Sequence, residues 1–267
     1  MLGSQAVAVV GDVHGCATEL DDLLALLGRY DEGRPRHVVF VGDLTDRGPD
    51  SVGVLVRVAA LAGAGRCTLI RGNHDDKLRL TIDDPRGPYG GDRRQTLRAV
   101  LAAEAGAPGL LQGTRRLLDR ARDVVEWLDV ERGERVVVTH AGLPTSLAQR
   151  VAATSAAEVL AANEEHFTRA AIYAGGPGRD SAAEPVTGLV QIHGHTPTAE
   201  PLDPTGPVVN VDTGACFGGR LSAWLWPERE IVSVPARATY RQPPAALAAA
   251  LRSALGSVPG AGLAASG

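Results

Sequence analysis

Five short polar clusters hold most of the groups in this chain that could do metal or acid–base chemistry: GDVHG at 11–15, GDLTDRG at 42–48, RGNHD at 71–75, THAG at 139–142 and HGHT at 193–196. Five of the seven histidines fall in them, which sets them apart from ordinary turns. Asp12, His14, Asp43, Asn73, His140 and His195 offer carboxylate, amide and imidazole donors without thiolate. That set suits borderline divalent ions such as manganese, iron, zinc, cobalt or nickel. Six donors are too many for one tetrahedral ion and suit two ions that share a carboxylate, for which Asp43 is the candidate bridge. Asp12 and His14, two positions apart, face the same side if their segment is extended.

Charge supports metals over an empty acidic patch. Two carboxylates about 4 Å apart repel by roughly 4 kcal/mol at an effective dielectric near 20. Crowding Asp12 and Asp43, with Asp46 and Asp75 nearby, therefore calls for cations. Two divalent ions would leave the pocket positive, with Arg47 and Arg71 adding to it, and a positive pocket attracts phosphate. Paired ions can lower the pKa of a shared water, giving a bridging hydroxide in line with phosphorus, and stabilise charge on the non-bridging oxygens. Arginine presents a planar fork matched to phosphate oxygens, which makes Arg47 and Arg71 the natural clamps. His74, next to Asn73 but turned away from it, is placed to protonate the leaving oxygen, with Asp46 holding its ring.

To converge, these clusters must sit at one end of a set of strands. Short apolar runs directly precede all five: Val7–Val10, His37–Val41, Thr68–Ile70, Arg135–Thr139 and Val190–His193. Further runs lie at Val208–Val211, Leu221–Trp226 and Ile231–Val234. Each is bounded by Gly, Pro or Asp, as buried strands are. Helical patterns cover Glu19–Leu27, Val52–Leu61, a stretch around Thr96–Glu104, Arg115–Leu128 and Ala152–Ala174, with Gly175–Gly178 breaking into a loop. Along 115–128, Leu117, Leu118, Ala121, Val124, Val125 and Leu128 share one face at helical spacing. Strand and helix alternate early and strands dominate late, which predicts an α/β sandwich. Loops at the carboxyl ends of its strands would present the reactive side chains. The clusters run from Gly11 to Gly214, so 1–240 reads as one domain. Residues 241–267 read as an Ala/Gly/Pro-rich tail with a short helix and a frayed end.

The remaining composition excludes several classes. At 267 residues, 44% hydrophobic and 22% charged, the chain is neither disordered nor fibrous. No apolar stretch approaches the roughly 20 residues that cross a bilayer, and the first residues carry no export signal, so the cytoplasm is expected. Cys16, Cys67 and Cys216 are too few for a disulfide framework and read as free thiols. A net charge of −4 gives no broad basic face for duplex nucleic acid. His37 and His166 read as strand-edge and helix-surface residues, while His193 could face the site, with either a supporting role there or none.

Taken together and in order, GDVHG, GDLTDRG, RGNHD, HAG and GHT resemble the calcineurin-like metallophosphoesterases, in the branch that contains the phosphoprotein phosphatases. The resemblance spans residues 7–234 and implies a β-sandwich flanked by helices. It implies that Asp12, His14 and Asp43 hold one metal and that Asp43, Asn73, His140 and His195 hold the other. His74 with Asp46 would be the acid pair, and Arg47 and Arg71 the phosphate contacts. The segments at 194–201, 209–228 and 232–236 are similar to bacterial asymmetric bis(5'-nucleosyl)-tetraphosphatases and to the phosphatase module of bacterial polynucleotide kinase-phosphatase. Asp212 matches an acidic residue near their active sites, and it could equally be a turn residue capping Gly214.

The resemblance implies two divalent ions, manganese first, with iron, zinc, nickel or cobalt as substitutes. The implied substrate is a small phosphorylated molecule, either a bis(5'-nucleosyl) tetraphosphate or a phosphomonoester. A serine/threonine protein phosphatase and a small-molecule phosphatase of secondary metabolism are the competing enzymatic readings. A metal-stabilised binding module without turnover is the non-enzymatic one. Asp75, where the protein phosphatases usually carry Glu, and the Ala-rich stretch 143–189 depart from the pattern, so chemistry transfers more safely than specificity.

Overall fold

The computed structural model describes residues 5–31, 35–88, 91–162, 168–169, 171–172, 183–200 and 203–256. Two sheets face each other. The first holds strands β1 (Val7–Val10), β2 (His37–Phe40), β3 (Cys67–Leu69), β8 (Arg220–Trp226) and β9 (Glu230–Pro235), in the order β3-β2-β1-β8-β9. The second holds β4 (Val125–Asp129), β5 (Glu134–Val138), β6 (Leu189–His193) and β7 (Val208–Asn210), in sequence order. β1, β2 and β3 run parallel, as do β5, β6 and β7, so the loops leaving them emerge at corresponding ends.

Alternation along the strands explains the layers. Val7 and Val9, Val39, Trp127, Val136 and Val138, Val190 and Ile192, Trp224 and Trp226 all point into the space between the sheets. Their neighbours Ala8, Val10, Val38, Phe40, Ala223 and Leu225 point outward, under helices α1 (Ala17–Tyr30), α2 (Ser51–Gly63), α3 (Asn73–Asp83), α4 (Asp92–Ala103) and α5 (Leu110–Asp119). In α1 the buried Leu20, Leu23 and Leu27 recur at the spacing of one helical face. The second sheet is covered by α6 (Thr145–Ala153) and α7 (Ala156–Ala162), which bury Leu147, Val151 and Val159 over Val137 and Leu189. The α/β sandwich is the architecture that the alternation predicts, and its helical flanks are those that the resemblance implies.

Three stretches differ from the sequence reading. The helix expected over 115–128 ends at Asp119, and Val125–Asp129 is instead a strand paired antiparallel with β5, Val125 opposite Val138. Here the β-branched Val124–Val125 and the alternation of buried Val125 and Trp127 with exposed Leu128 outweigh the helical spacing. The 152–174 helix is likewise broken. α6 starts earlier, and α7 starts anew where the Ser155 hydroxyl accepts from Glu158 N at 3.1 Å. Helix α3 has no counterpart in the sequence reading. The C-terminal helix α8 (Ala245–Gly256) forms, and its Leu247 and Leu251 are buried in the main core. His166, the loop expected at 175–178 and the frayed end expected at 257–267 lie outside the described residues. Among the described residues no helix is long and apolar enough to cross a membrane.

Candidate metal centre

Each polar cluster directly follows a strand: β1, β2, β3, β5 and β6 deliver 11–15, 42–48, 71–75, 139–142 and 193–196. Parallel strands bring these turns together, and small residues let them touch. A Cβ on Gly42 would lie 2.5 Å from Gly72 N, and one on Gly72 would overlap the Asp43 backbone and carboxylate. Only glycine lets the second and third loops meet this closely. The loops are also bent sharply. His14, Asp43, Asp46, Arg47 and His195 all have positive φ, between 43 and 70°. Such backbone costs of order 1–3 kcal/mol per residue and persists where surroundings enforce it, characteristically at functional sites. His14 and Asp12 therefore meet through a tight turn, not through the extended segment expected.

Asp43 stands at the centre. His14 Nε2 lies 3.5 Å from its Oδ2, and His140 Nε2 lies 3.5 Å from its Oδ1. His140 Nε2 is also 3.1 Å from His195 Nδ1 and 3.2 Å from Asn73 Oδ1. Asp12 Oδ2 lies 3.9 Å from His14 Nε2, and Asp12 Oδ1 accepts from His195 N at 3.1 Å. All six expected donors are thus within one connected cluster. Two groups in it are compact enough to hold an ion, His14–Asp43–His74 and Asp43–His140–His195, and Asp43 belongs to both.

The donor chemistry fits divalent cations. The outer nitrogens of His14 and His140 sit 2.9 Å from the Thr45 and Val41 carbonyls, so both rings carry their proton there and turn an Nε2 lone pair inward. Burial, reinforced by Arg47, holds the His14 ring well below its ordinary pKa, and burial takes His140 down to about 4, which keeps both rings neutral. Burial also opposes ionisation of Asp43, but electrostatic interaction with His140, His74, His14 and the Arg47 guanidinium outweighs it and leaves this carboxyl well below the usual range. Burial, with Asp212 and Asp43 close by, pushes Asp12 well above it, and Asp12 Oδ2 is buried with no hydrogen-bond partner. The Asn73 amide oxygen meets acceptors only. Turned over, its nitrogen would donate to His140 Nε2 at 3.2 Å and to the Asp43 oxygens at 3.2 and 3.0 Å. In that orientation the amide satisfies these acceptors itself, and in the other its oxygen is turned inward as a ligand for a cation.

The acid pair is assembled beside this cluster. His74 Nδ1 lies 2.7 Å from Asp46 Oδ2, while Arg47 donates to His74 Nε2 at 3.0 Å and to His14 Nε2 at 2.6 Å. Asn73 and His74 open α3, so they diverge as successive helical positions and not by strand alternation. Arg71 differs from its companion: its guanidinium lies 3.4 Å from Asp123 and donates to the Ala121 carbonyl at 3.3 Å. No side chain of the cluster is among its partners in the described residues. Asp212 is buried and accepts from Gly214 N at 3.1 Å, and burial pushes its carboxyl up to about 7. It therefore caps the turn and also adds to the field on Asp12.

The calcineurin-like phosphoesterase model matches residues 6–212, which contain every one of these loops. The chain belongs to that family. It is a metallophosphoesterase, a hydrolase of phosphoesters. A bis(5'-nucleosyl)-tetraphosphatase (asymmetrical) PrpE of Oceanobacillus iheyensis is 31% identical over 88% of this chain and 94% of its own length. That of Geobacillus thermodenitrificans is 33% identical over 86% and 94%. A crystal structure described as that of a candidate diadenosine tetraphosphatase superposes with a TM-score of 0.58 at 23% identity, covering 87% of this chain and 94% of that one, which supports the fold.

Two residues of this metallophosphoesterase, Thr96 and Arg93, escape sequence reasoning about the site, and Asp75, expected only as a nearby charge, has a structural duty there. The Asp75 carboxylate accepts from Leu44 N at 3.0 Å and Gly72 N at 3.2 Å, tying the second loop to the third, and burial with Asp43 nearby raises it to about 8. Thr96 and Arg93, on α4, approach Asp46. Neither lies in a polar cluster, and only the fold brings α4 to the acid pair.

Proposed function

We propose that this chain is a two-metal phosphohydrolase acting on a bis(5'-nucleosyl) tetraphosphate or a phosphomonoester, with Asp43 as the bridge. The observation that carries the reading is that Asp43 belongs to both compact donor groups, with His14 in one and His140 and His195 in the other; the first takes in His74, which we assign to proton transfer, and Asp12 lies just outside it, 3.9 Å from His14 Nε2. Asp12, His14 and Asp43 would hold one ion, and Asp43, Asn73, His140 and His195 the other. When bound, the ions, for which manganese is our choice, lower the pKa of the attacking water and neutralise charge on the phosphate oxygens.

The protein's own groups do the rest. Arg47, poised between His14 and His74, grips phosphate oxygens through its planar fork. Arg71 has the lesser share, because it must first leave Asp123. His74 is oriented by Asp46 at Nδ1, so Nε2, which accepts from Arg47 here, is the atom that takes up a proton once Arg47 turns to phosphate and gives it to the leaving oxygen as the P–O bond breaks. Asp212, raised to about 7 by burial, stands close to Asp12. The substrate reading is supported by relatives that are named for that chemistry, and a soluble nucleotide substrate suits our choice of the cytoplasm as the working compartment.

The deciding experiment measures bound metal and hydrolysis of diadenosine tetraphosphate, p-nitrophenyl phosphate and a phosphopeptide, with manganese present. About two ions per chain and fastest turnover of the dinucleotide are expected. One ion, or a clear preference for the phosphopeptide, would overturn the bridge or the substrate respectively.

A further inference from the structure

We infer that Thr96 is a positioning residue for the proton-delivering pair, acting on His74 through Asp46. The inference rests on the reading of His74 as the proton donor. It adds a helix outside the five loops to the machinery.

The Asp46 side chain is fully buried and its two oxygens have separate duties. Oδ2 takes His74 Nδ1 at 2.7 Å, and Oδ1 accepts from Thr96 Oγ1 at 2.7 Å, across fifty positions of sequence. A carboxylate held at one oxygen only can rotate about its Cβ–Cγ bond. Held at both, it fixes the plane in which the imidazole must lie. A competitor stands close by, because Arg93 Nε is 3.5 Å from the same Oδ2 that orients His74. Without the threonine anchor, Asp46 is free to turn toward Arg93 and release the ring.

The threonine itself is turned to this task. A threonine inside a helix commonly bonds back to the carbonyl four residues earlier. Thr81 does so on Lys77 at 2.7 Å, and Thr154, capping the end of α6, does so on Arg150 at 3.0 Å. Thr96 Oγ1 instead reaches out of its own helix to Asp46. The helix is well anchored, since the adjacent Leu97 and Val100 are buried in the main core and Thr96 is 5% exposed. The hydroxyl is thus presented from a fixed platform.

The test compares two monoesters on the metal-loaded full chain: p-nitrophenyl phosphate, whose leaving group departs with little help, and an alkyl phosphate, whose leaving group must be protonated. Thr96→Val keeps the side-chain shape and removes the hydroxyl. Its kcat on the alkyl ester should fall by roughly tenfold or more, with a several-fold smaller loss on p-nitrophenyl phosphate and metal content retained. Thr96→Ser should restore the alkyl-ester rate. In a His74→Ala background the valine substitution should cost nothing further, because both act through one group. Equal losses on the two esters, no loss on either, or an additive loss in the His74→Ala background would overturn the inference. Thr96→Ala carries the same expectations if the valine variant does not load metal. His74→Ala alone tells the two readings apart: if it slows both esters equally, the assignment of His74 fails. If His74→Ala is selective and Thr96→Val is not, only the role of Thr96 fails.

Discussion

The backbone N–H of His74 donates to Asp43 Oδ1 at 2.8 Å, so the proposed bridge is held by the main chain of the proposed acid. A carboxylate fixed in this way keeps one oxygen toward each donor group. Asp43→Asn replaces one oxygen with a donor that would face either the His74 amide hydrogen or the inward lone pairs of His14 and His140. Residues that merely support metal ligands contribute 10- to 100-fold in affinity. Loss of the shared ligand should therefore weaken metal binding by roughly 10²-fold or more and remove turnover. Titration with manganese followed by mass spectrometry of the native chain checks this, and unchanged stoichiometry would remove Asp43 from the centre.

Gly194 is the tightest contact on the Asp12 side, for a Cβ there would overlap Asp12 Oδ1 and crowd the Val41 side chain. Gly194→Ala should push Asp12 out of reach of His14 and cost about 1–3 kcal/mol in stability through overpacking. The expected outcome is a chain that keeps its fold by circular dichroism but loses metal. A variant with full metal occupancy would show that Asp12 can move without harm.

The five loops were legible in the sequence because metal ligands must be particular residue types, and because each follows a strand with an obvious apolar run. The strands themselves were legible for the same reason: Val7–Val10 and His37–Phe40 are almost wholly apolar between Gly, Asp and Pro. The 115–128 segment misled because Leu117, Leu118, Val124 and Val125 satisfy a helical spacing locally, whereas pairing of Val125 with Val138 is decided by the second sheet. Thr96 carried no signal at all, since a lone threonine in a helical pattern is ordinary until the fold sets it against Asp46. Arg47 and Arg71 looked equivalent in sequence, and only the position of Asp123 separates them.

That separation has a kinetic consequence. Arg47 lies between His14 and His74 and over the Phe217 ring, 5.5 Å from its centroid, so it is both placed and packed. Arg47→Ala should lower kcat/KM by roughly 10²-fold, the scale of losing one preorganised donor to transition-state charge. Arg71→Ala should cost several-fold less, and Asp123→Ala, which frees Arg71, should not reproduce the Arg47 loss. Steady-state rates on p-nitrophenyl phosphate distinguish these outcomes, and equal losses for the two arginines would mean that both contact phosphate.

The buried acids set a pH dependence of stability that metal should hide. In the folded chain burial raises Asp75 to about 8 and Asp212 to about 7, and it also raises Asp12, whereas unfolded aspartates release their proton near 3.8. Above about pH 4 the folded state therefore holds protons on these groups that the unfolded state has lost, and this part of stability falls as pH rises. His14 and His140 oppose the trend up to about pH 6.5, because their folded values lie below the unfolded one and the unfolded chain takes the extra protons there. The clear window is then pH 6.5 to 8, where the histidine contribution has ended and the carboxyls still titrate. With a chelator present, the urea midpoint should drop across that window, each retained proton contributing at most about 1.4 kcal/mol per pH unit. Saturating manganese should abolish or reverse the drop, since ion binding favours the ionised carboxylates. A chelated protein that grows more stable between pH 6.5 and 8 would show that these carboxyls are already ionised in the metal-free fold.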